Sequence, residues 1–104
     1  MYIIKTTKLF DKRLANLNKY FALTDDEVKD AIESIKYSMI ELRNNGVLPE
    51  EYDDHPLKDA PWTGFNEYHV LDDLLVVYYK IEKKGTIRFT TIVTHKELRK
   101  GNIK

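Results

Sequence analysis

The sequence predicts an α+β domain of order βααβββ, in which an antiparallel sheet packs against a two-helix hairpin and a short helical turn closes the chain. Three observations predict it. Apolar residues recur at helical spacing between residues 8 and 45, β-prone runs dominate residues 65–94, and short connections between those runs pair neighbours antiparallel.

Residues 2–6 read as a short strand. Phe10, Leu14, Leu17 and Phe21 then recur at spacings of four, three and four, one apolar helical face that predicts a first helix over residues 8–21. Thr24-Asp25-Asp26-Glu27 is a capping box, in which the threonine hydroxyl accepts from the third helical amide while the glutamate reaches back. Leu23 and Val28 supply the accompanying staple. Val28, Ile32, Ile35, Met39 and Leu42 carry one stripe to the stop at Asn44-Asn45-Gly46, so a long amphipathic second helix follows. Residues 47–63 hold all three prolines, Pro49, Pro56 and Pro61, and are expected to form a functional loop. Strands are expected over residues 65–70, 74–81 and 86–94, with turns at Asp72-Asp73 and Lys83-Lys84-Gly85. The near-continuous apolar run at 74–81 is the expected central strand, buried on both faces.

With 104 residues and 42% hydrophobic content, residues 1–104 are expected to form one domain around one core. Cysteine is absent, which removes thiolate nucleophiles and cysteine zinc sites and fits a reducing compartment. The apolar start is too short for a signal peptide, and no run approaches the roughly 20 residues a bilayer needs. A cytoplasmic protein without membrane contact is expected. The formal charge is zero, yet residues 24–54 hold ten acidic and three basic side chains, leaving seven acidic and fourteen basic in the remainder. Lys80, Lys83, Lys84, Arg88, Lys96, Arg99 and Lys100 are therefore candidates for a basic face that meets phosphates, although a merely solvated edge fits them equally well.

His55, His69 and His95 are the three histidines, each at a loop or element end, where an imidazole can exchange protons near neutral pH. Each also has a purely structural reading, as a loop residue, a half-buried strand position and a terminal turn. Glu67 lies two residues before His69, on the same strand face, and Asp73 follows after a turn. Histidine spacings of fourteen and twenty-six match no metal motif, so no metal or other cofactor is expected. Neither a Gly-rich phosphate loop nor a serine nucleophile elbow is present. Proton transfer on a bound polyanion is the chemistry left.

Five blocks in order carry a family likeness: Leu48-Pro49-Glu50-Glu51-Tyr52-Asp53-Asp54-His55-Pro56-Leu57, Trp62-Thr63-Gly64-Phe65, Glu67-Tyr68-His69-Val70, Asp73-Leu74-Leu75-Val76-Val77-Tyr78 and Thr94-His95-Lys96-Glu97-Leu98. They resemble the YafQ toxins of the RelE superfamily, with Asp-His-Pro-Leu the most specific piece; residues 1–47 share only the strand-helix-helix layout. The resemblance implies a RelE-like fold and the toxin of a type II toxin–antitoxin system, an endoribonuclease that cuts mRNA in the ribosomal A site without a metal. It implies that His55, His69, His95 and Asp73 line the site and that Glu67 stands where the family has an aspartate. His95 would be the general acid, His69 or His55 the base or a phosphate clamp, and Glu67 and Asp73 would orient imidazoles. Implied partners are an antitoxin of the RelB or DinJ type, the ribosome with its mRNA, and operator DNA through the antitoxin complex alone.

The chain departs from that pattern at several positions. Asn66 replaces an arginine, Thr91-Ile92-Val93 an Arg-Thr-Gly run, Asp72-Asp73-Leu74 a Pro-Asp-Trp run and Arg99 an aromatic residue. These departures motivate an alternative, a catalytically weakened or inactive RelE-fold protein that serves as antitoxin-binding module and co-repressor. A third reading is a small interaction domain with incidental histidines, which dispersed histidines would favour.

Overall fold

The computed structural model describes residues 1–101. In chain order they form β1 (Ile3–Thr6), α1 (Lys8–Ala15), α2 (Leu17–Tyr20), α3 (Asp25–Asn45), β2 (His55–Pro56), β3 (Asn66–Leu71), β4 (Leu74–Ile81), β5 (Thr86–Val93) and α4 (His95–Arg99). Two 3₁₀ turns, Glu50–Tyr52 and Glu82–Lys84, punctuate the loops.

The five strands make one sheet in the order β1-β5-β4-β3-β2, so the apolar run of β4 is central, as its composition predicts. Strands β2 to β5 pair antiparallel, but β1 lies parallel to β5, with Ile3 opposite Thr86 and Thr6 opposite Phe89. The antiparallel sheet that the sequence predicts is formed by β2 to β5, and β1 departs from it as a parallel edge. Short turns dictate the direction of β3, β4 and β5, whereas β1 runs into helices and its direction is not fixed by any hairpin.

The helices cover one face. Phe10, Leu17, Phe21, Ala31, Ile35 and Leu42 pack against Tyr68, Val76, Tyr78, Ile87, Phe89 and Ile92 in the main core. The other face carries a smaller cluster of Trp62, Leu75, Val77 and Val93, closed by Leu57, Phe65 and Leu98. The proline loop and α4 thus roof the side of the sheet away from the helices.

Two helix boundaries follow their caps. Thr24 and Glu27 form the capping box predicted for α3, and Gly46, at φ 73°, ends it in the left-handed conformation. The single helix expected over residues 8–21 is instead two. Asn16 breaks it, at φ −134° and ψ 40°, with its side-chain amide donating to the Lys12 carbonyl at 2.9 Å. The apolar stripe survives the break, because Phe10, Leu17 and Phe21 all reach the core. Among the described residues no helix is long and apolar enough to cross a membrane.

Candidate active site

One end of the sheet gathers the chemistry. His69 near the end of β3 faces Leu75 at the start of β4, and Leu75 faces Val93 at the end of β5. Asp73 lies in the β3–β4 turn, and His95 is the first residue of α4. That helix starts at Thr94 because a second capping box forms: Thr94 accepts from the Glu97 amide at 3.2 Å, and Glu97 accepts from the Thr94 amide at 3.2 Å.

Asp73 Oδ1 accepts the His95 backbone N–H at 3.0 Å and sits 2.6 Å from His95 Nδ1. The backbone and side-chain hydrogen bonds from His95, with a smaller contribution from the Arg99 charge, hold the Asp73 carboxyl below the usual carboxylate range. An aspartate on Nδ1 fixes the tautomer of the neutral ring and leaves Nε2 as its reactive nitrogen. The His69 ring lies 5.4 Å from the His95 ring, centroid to centroid, tilted by 44°.

The proline loop brings the third histidine. His55 in β2 stands directly opposite Glu67 in β3, and His55 Nε2 is 2.8 Å from Glu67 Oε1. Its Nδ1 is 3.0 Å from the Asp53 carbonyl, an acceptor only, so this nitrogen donates. Both ring nitrogens of His55 therefore face oxygen atoms. Asp53 also reaches the other way, with Oδ2 3.6 Å from His69 Nδ1, and so spans two of the histidines. Its neighbour Asp54 ties the loop down by accepting from the Tyr78 hydroxyl at 2.6 Å; burial and that carboxylate push the Tyr78 phenol up and keep it protonated. His55, His69 and His95 thus form a chain of contacts with Asp53, Glu67 and Asp73. Glu67 does share a strand face with His69, but its ionic contact is to His55.

The seven candidate cations divide. Lys96 and Arg99 lie on α4, with Lys100 at its end, beside the histidines. Arg88 faces Tyr79 within the sheet. Lys80, Lys83 and Lys84 stand at the far end of β4, about 17 Å of strand from Leu75. Lys80 is spent there on structure: its ammonium donates to the Gly46 carbonyl and lies 5.6 Å over the Tyr2 ring. A groove of about 890 Å³ beside His69 is acidic, with Glu27, Glu51, Asp53, Asp72 and Asp73 in its wall. His69 and Asp73 line this groove themselves, so carboxylates surround His69 there while the cations lie on α4.

Sequence reasoning missed Asp53, Arg13 and the Thr94 capping box. Asp53 had a readable signal in its place two residues before His55, and its φ of 51° is a conformation that aspartate tolerates better than most residues. Arg13 had none, since its role depends on α1 packing against β5 near the start of α4: Nη1 donates to the Ile92 carbonyl at 2.7 Å and to Glu97 at 3.1 Å.

The chain is similar to solved toxins over nearly its whole length. YafQ of E. coli strain BL21(DE3) is 29% identical, with 94% of this chain and 98% of that one covered at a TM-score of 0.71. A metal-bound toxin from Helicobacter pylori is 31% identical, with 94% and 99% covered and a TM-score of 0.72. YafQ in the E. coli DinJ-YafQ complex is 30% identical, with 94% and 98% covered and a TM-score of 0.70. The metal belongs to that H. pylori protein; among the described residues here no group of three or more His, Asp or Glu side chains is arranged to hold one. No curated protein sequence matches significantly. Residues 2–100 match the model of YafQ, the bacterial toxin of type II toxin–antitoxin systems, and the chain belongs to that family.

Proposed function

We propose that this toxin is an endoribonuclease that cleaves mRNA on the ribosome by acid–base catalysis through its histidines. The observation that carries the reading is the Asp73–His95 pair facing His69 across 5.4 Å. RNA cleavage needs a base to take the 2′-hydroxyl proton, an acid to protonate the leaving 5′-oxygen, and cations for the extra charge on phosphorus. The 2′-oxygen forms a bond to phosphorus as the P–O5′ bond breaks, which leaves a 2′,3′-cyclic phosphate and a 5′-hydroxyl. His95, held through Nδ1 by Asp73, acts from its imidazolium form, giving the Nε2 proton to the 5′-oxygen and returning to the neutral ring. His69 takes the 2′-hydroxyl proton, and His55, paired with Glu67, clamps the phosphate when charged. Lys96, Arg99 and Lys100 meet the flanking phosphates.

The likeness to YafQ in its complex with DinJ supports an antitoxin of the DinJ type as partner. Operator DNA is then reached only through that complex. The alternative, a weakened toxin kept as an antitoxin-binding co-repressor, is favoured by Thr91 and Val93. Both are buried in β5 and supply no cation.

Induced expression of the wild-type chain and of His95→Ala in a bacterial host, with growth followed and new mRNA 5′ ends mapped, tests the reading. Arrest and in-frame cuts with the wild type alone are expected. Equal arrest by His95→Ala removes His95 from the mechanism, and no cuts from the wild type hand the lead to the co-repressor.

A further inference from the structure

We propose that the pocket between the proline loop and the end of α4 is a subsite for one nucleobase of the RNA and selects a base that bears an exocyclic amine. The inference rests on the ribonuclease reading and deepens it.

The cavity, about 230 Å³, is walled by Leu57, Lys58, Asp59, Trp62, Leu98 and Arg99. Drug-sized ligands need roughly 300–1,000 Å³, so this one suits a single ring system. Its floor is rigid. Trp62 is 4% exposed, packs among Leu75, Val77 and Val93, and donates from Nε1 to the Leu98 carbonyl at 2.7 Å. That hydrogen bond ties loop to helix, and the Phe65 ring packs edge-on against Trp62 at 5.8 Å.

The wall chemistry reads as a nucleotide's. Leu57, Leu98 and Trp62 offer apolar contact to a base, while Lys58 and Arg99 supply cations for its phosphates, the guanidinium able also to stack. Asp59 is an exposed carboxylate, an acceptor only. It accepts from the amine of adenine, cytosine or guanine, whereas the lone N–H of uracil sits between two carbonyl oxygens that a carboxylate repels. Position links the pocket to the site. Arg99 follows His95 by four residues on α4, about 5–6 Å away on one helix face, and its charge is felt at Asp73. A nucleotide whose phosphate meets His95 therefore has a neighbouring base at the pocket mouth.

The test uses the full chain and labelled pentaribonucleotides. Fluorescence anisotropy on His95→Ala is expected to give oligo(A) or oligo(C) at least about fivefold tighter binding than oligo(U). Asp59→Asn, which adds a donor for uracil, is expected to collapse that ratio toward one, and Arg99→Ala to weaken all sequences alike. Equal binding of oligo(U), or a preference that survives Asp59→Asn, overturns the proposal. Mapped cuts separate it from the reading beneath it. A base preference in binding without cuts by the wild type sinks the nuclease and leaves the pocket, whereas cuts whose flanking bases are unchanged in Asp59→Asn sink the pocket and leave the nuclease.

Discussion

Replacing Arg13 by methionine tests whether the first helix holds α4, the helix that carries His95, in place. The Arg13 side chain is 10% exposed and its Nη1 lies 2.7 Å from the Ile92 carbonyl and 3.1 Å from each Glu97 oxygen. Its guanidinium also covers the Tyr20 and Phe21 rings at 5.2 and 5.7 Å. Methionine keeps the length and the apolar stem but has no donor. Losing hydrogen bonds from a charged donor costs about 1.5–3 kcal/mol. The unpaired Glu97 adds little, because at 30% exposure water still reaches it. A loss of about 2–3 kcal/mol follows, or a fall in Tm of about 8–24 °C for a domain of this size. Urea unfolding of both proteins measures it, and Glu97→Gln completes a double-mutant cycle whose coupling should reach about 1 kcal/mol. Because Glu97 also caps α4 through the Thr94 amide, growth arrest should weaken at temperatures where the variant is folded. A loss under about 1 kcal/mol with normal arrest refutes the reasoning.

Asp73→Asn should lower stability in a pH-dependent way. The folded-state value of this carboxyl is depressed, so its contribution is present above the ordinary 3.8 and is lost as pH falls through the folded value. Wild type and variant should therefore separate in urea titrations above the ordinary 3.8 and converge only as pH falls through the lowered folded-state value. Gly46→Ala should cost about 1–2 kcal/mol for its left-handed backbone, and more because a Cβ there meets Tyr2 Cε1 at 2.5 Å. Thermal unfolding reads this: a loss confined to about 1–2 kcal/mol means that Tyr2 moves away freely, and an unchanged Tm refutes the backbone cost as well.

What the sequence disclosed, and what it hid, divides by range. Local chemistry was legible: Thr24 and Glu27 are three residues apart and declare the start of α3, and the β-branched and aromatic run 74–81 declares a strand with apolar side chains on both faces. The same rule applied to Thr94-His95-Lys96-Glu97 would have marked the helix that carries His95, but the short segment lacked an apolar stripe to draw notice. Asn16 breaks a periodic stripe whose spacing is unaffected, so periodicity alone cannot register it. The convergence of His55, His69 and His95 depends on β2 pairing with β3 and on a turn that sets Asp73 under α4. Those are long-range pairings, visible beforehand only through family likeness. Charge was the least legible feature, since a basic run along the chain says nothing of which end of a strand each lysine occupies.

That last point fixes how strongly salt should weaken RNA binding. If all seven cations read from the sequence met phosphates, single-stranded RNA affinity would fall with a slope of about −5 in log K against log salt, at roughly −0.7 per contact. The structure separates Lys80, Lys83 and Lys84 from the histidines and commits Lys80 to the Gly46 carbonyl. Beside the site stand Lys58, Lys96, Arg99 and Lys100, which set a limit of about −3. Titrating labelled oligonucleotide onto His95→Ala between low and moderate salt distinguishes the two. The Lys83→Gln, Lys84→Gln pair should leave the slope unchanged, and Arg99→Gln should make it shallower by about 0.7. A slope steeper than about −4 that the Lys83, Lys84 pair reduces would mean that RNA tracks the whole sheet and not the α4 end alone.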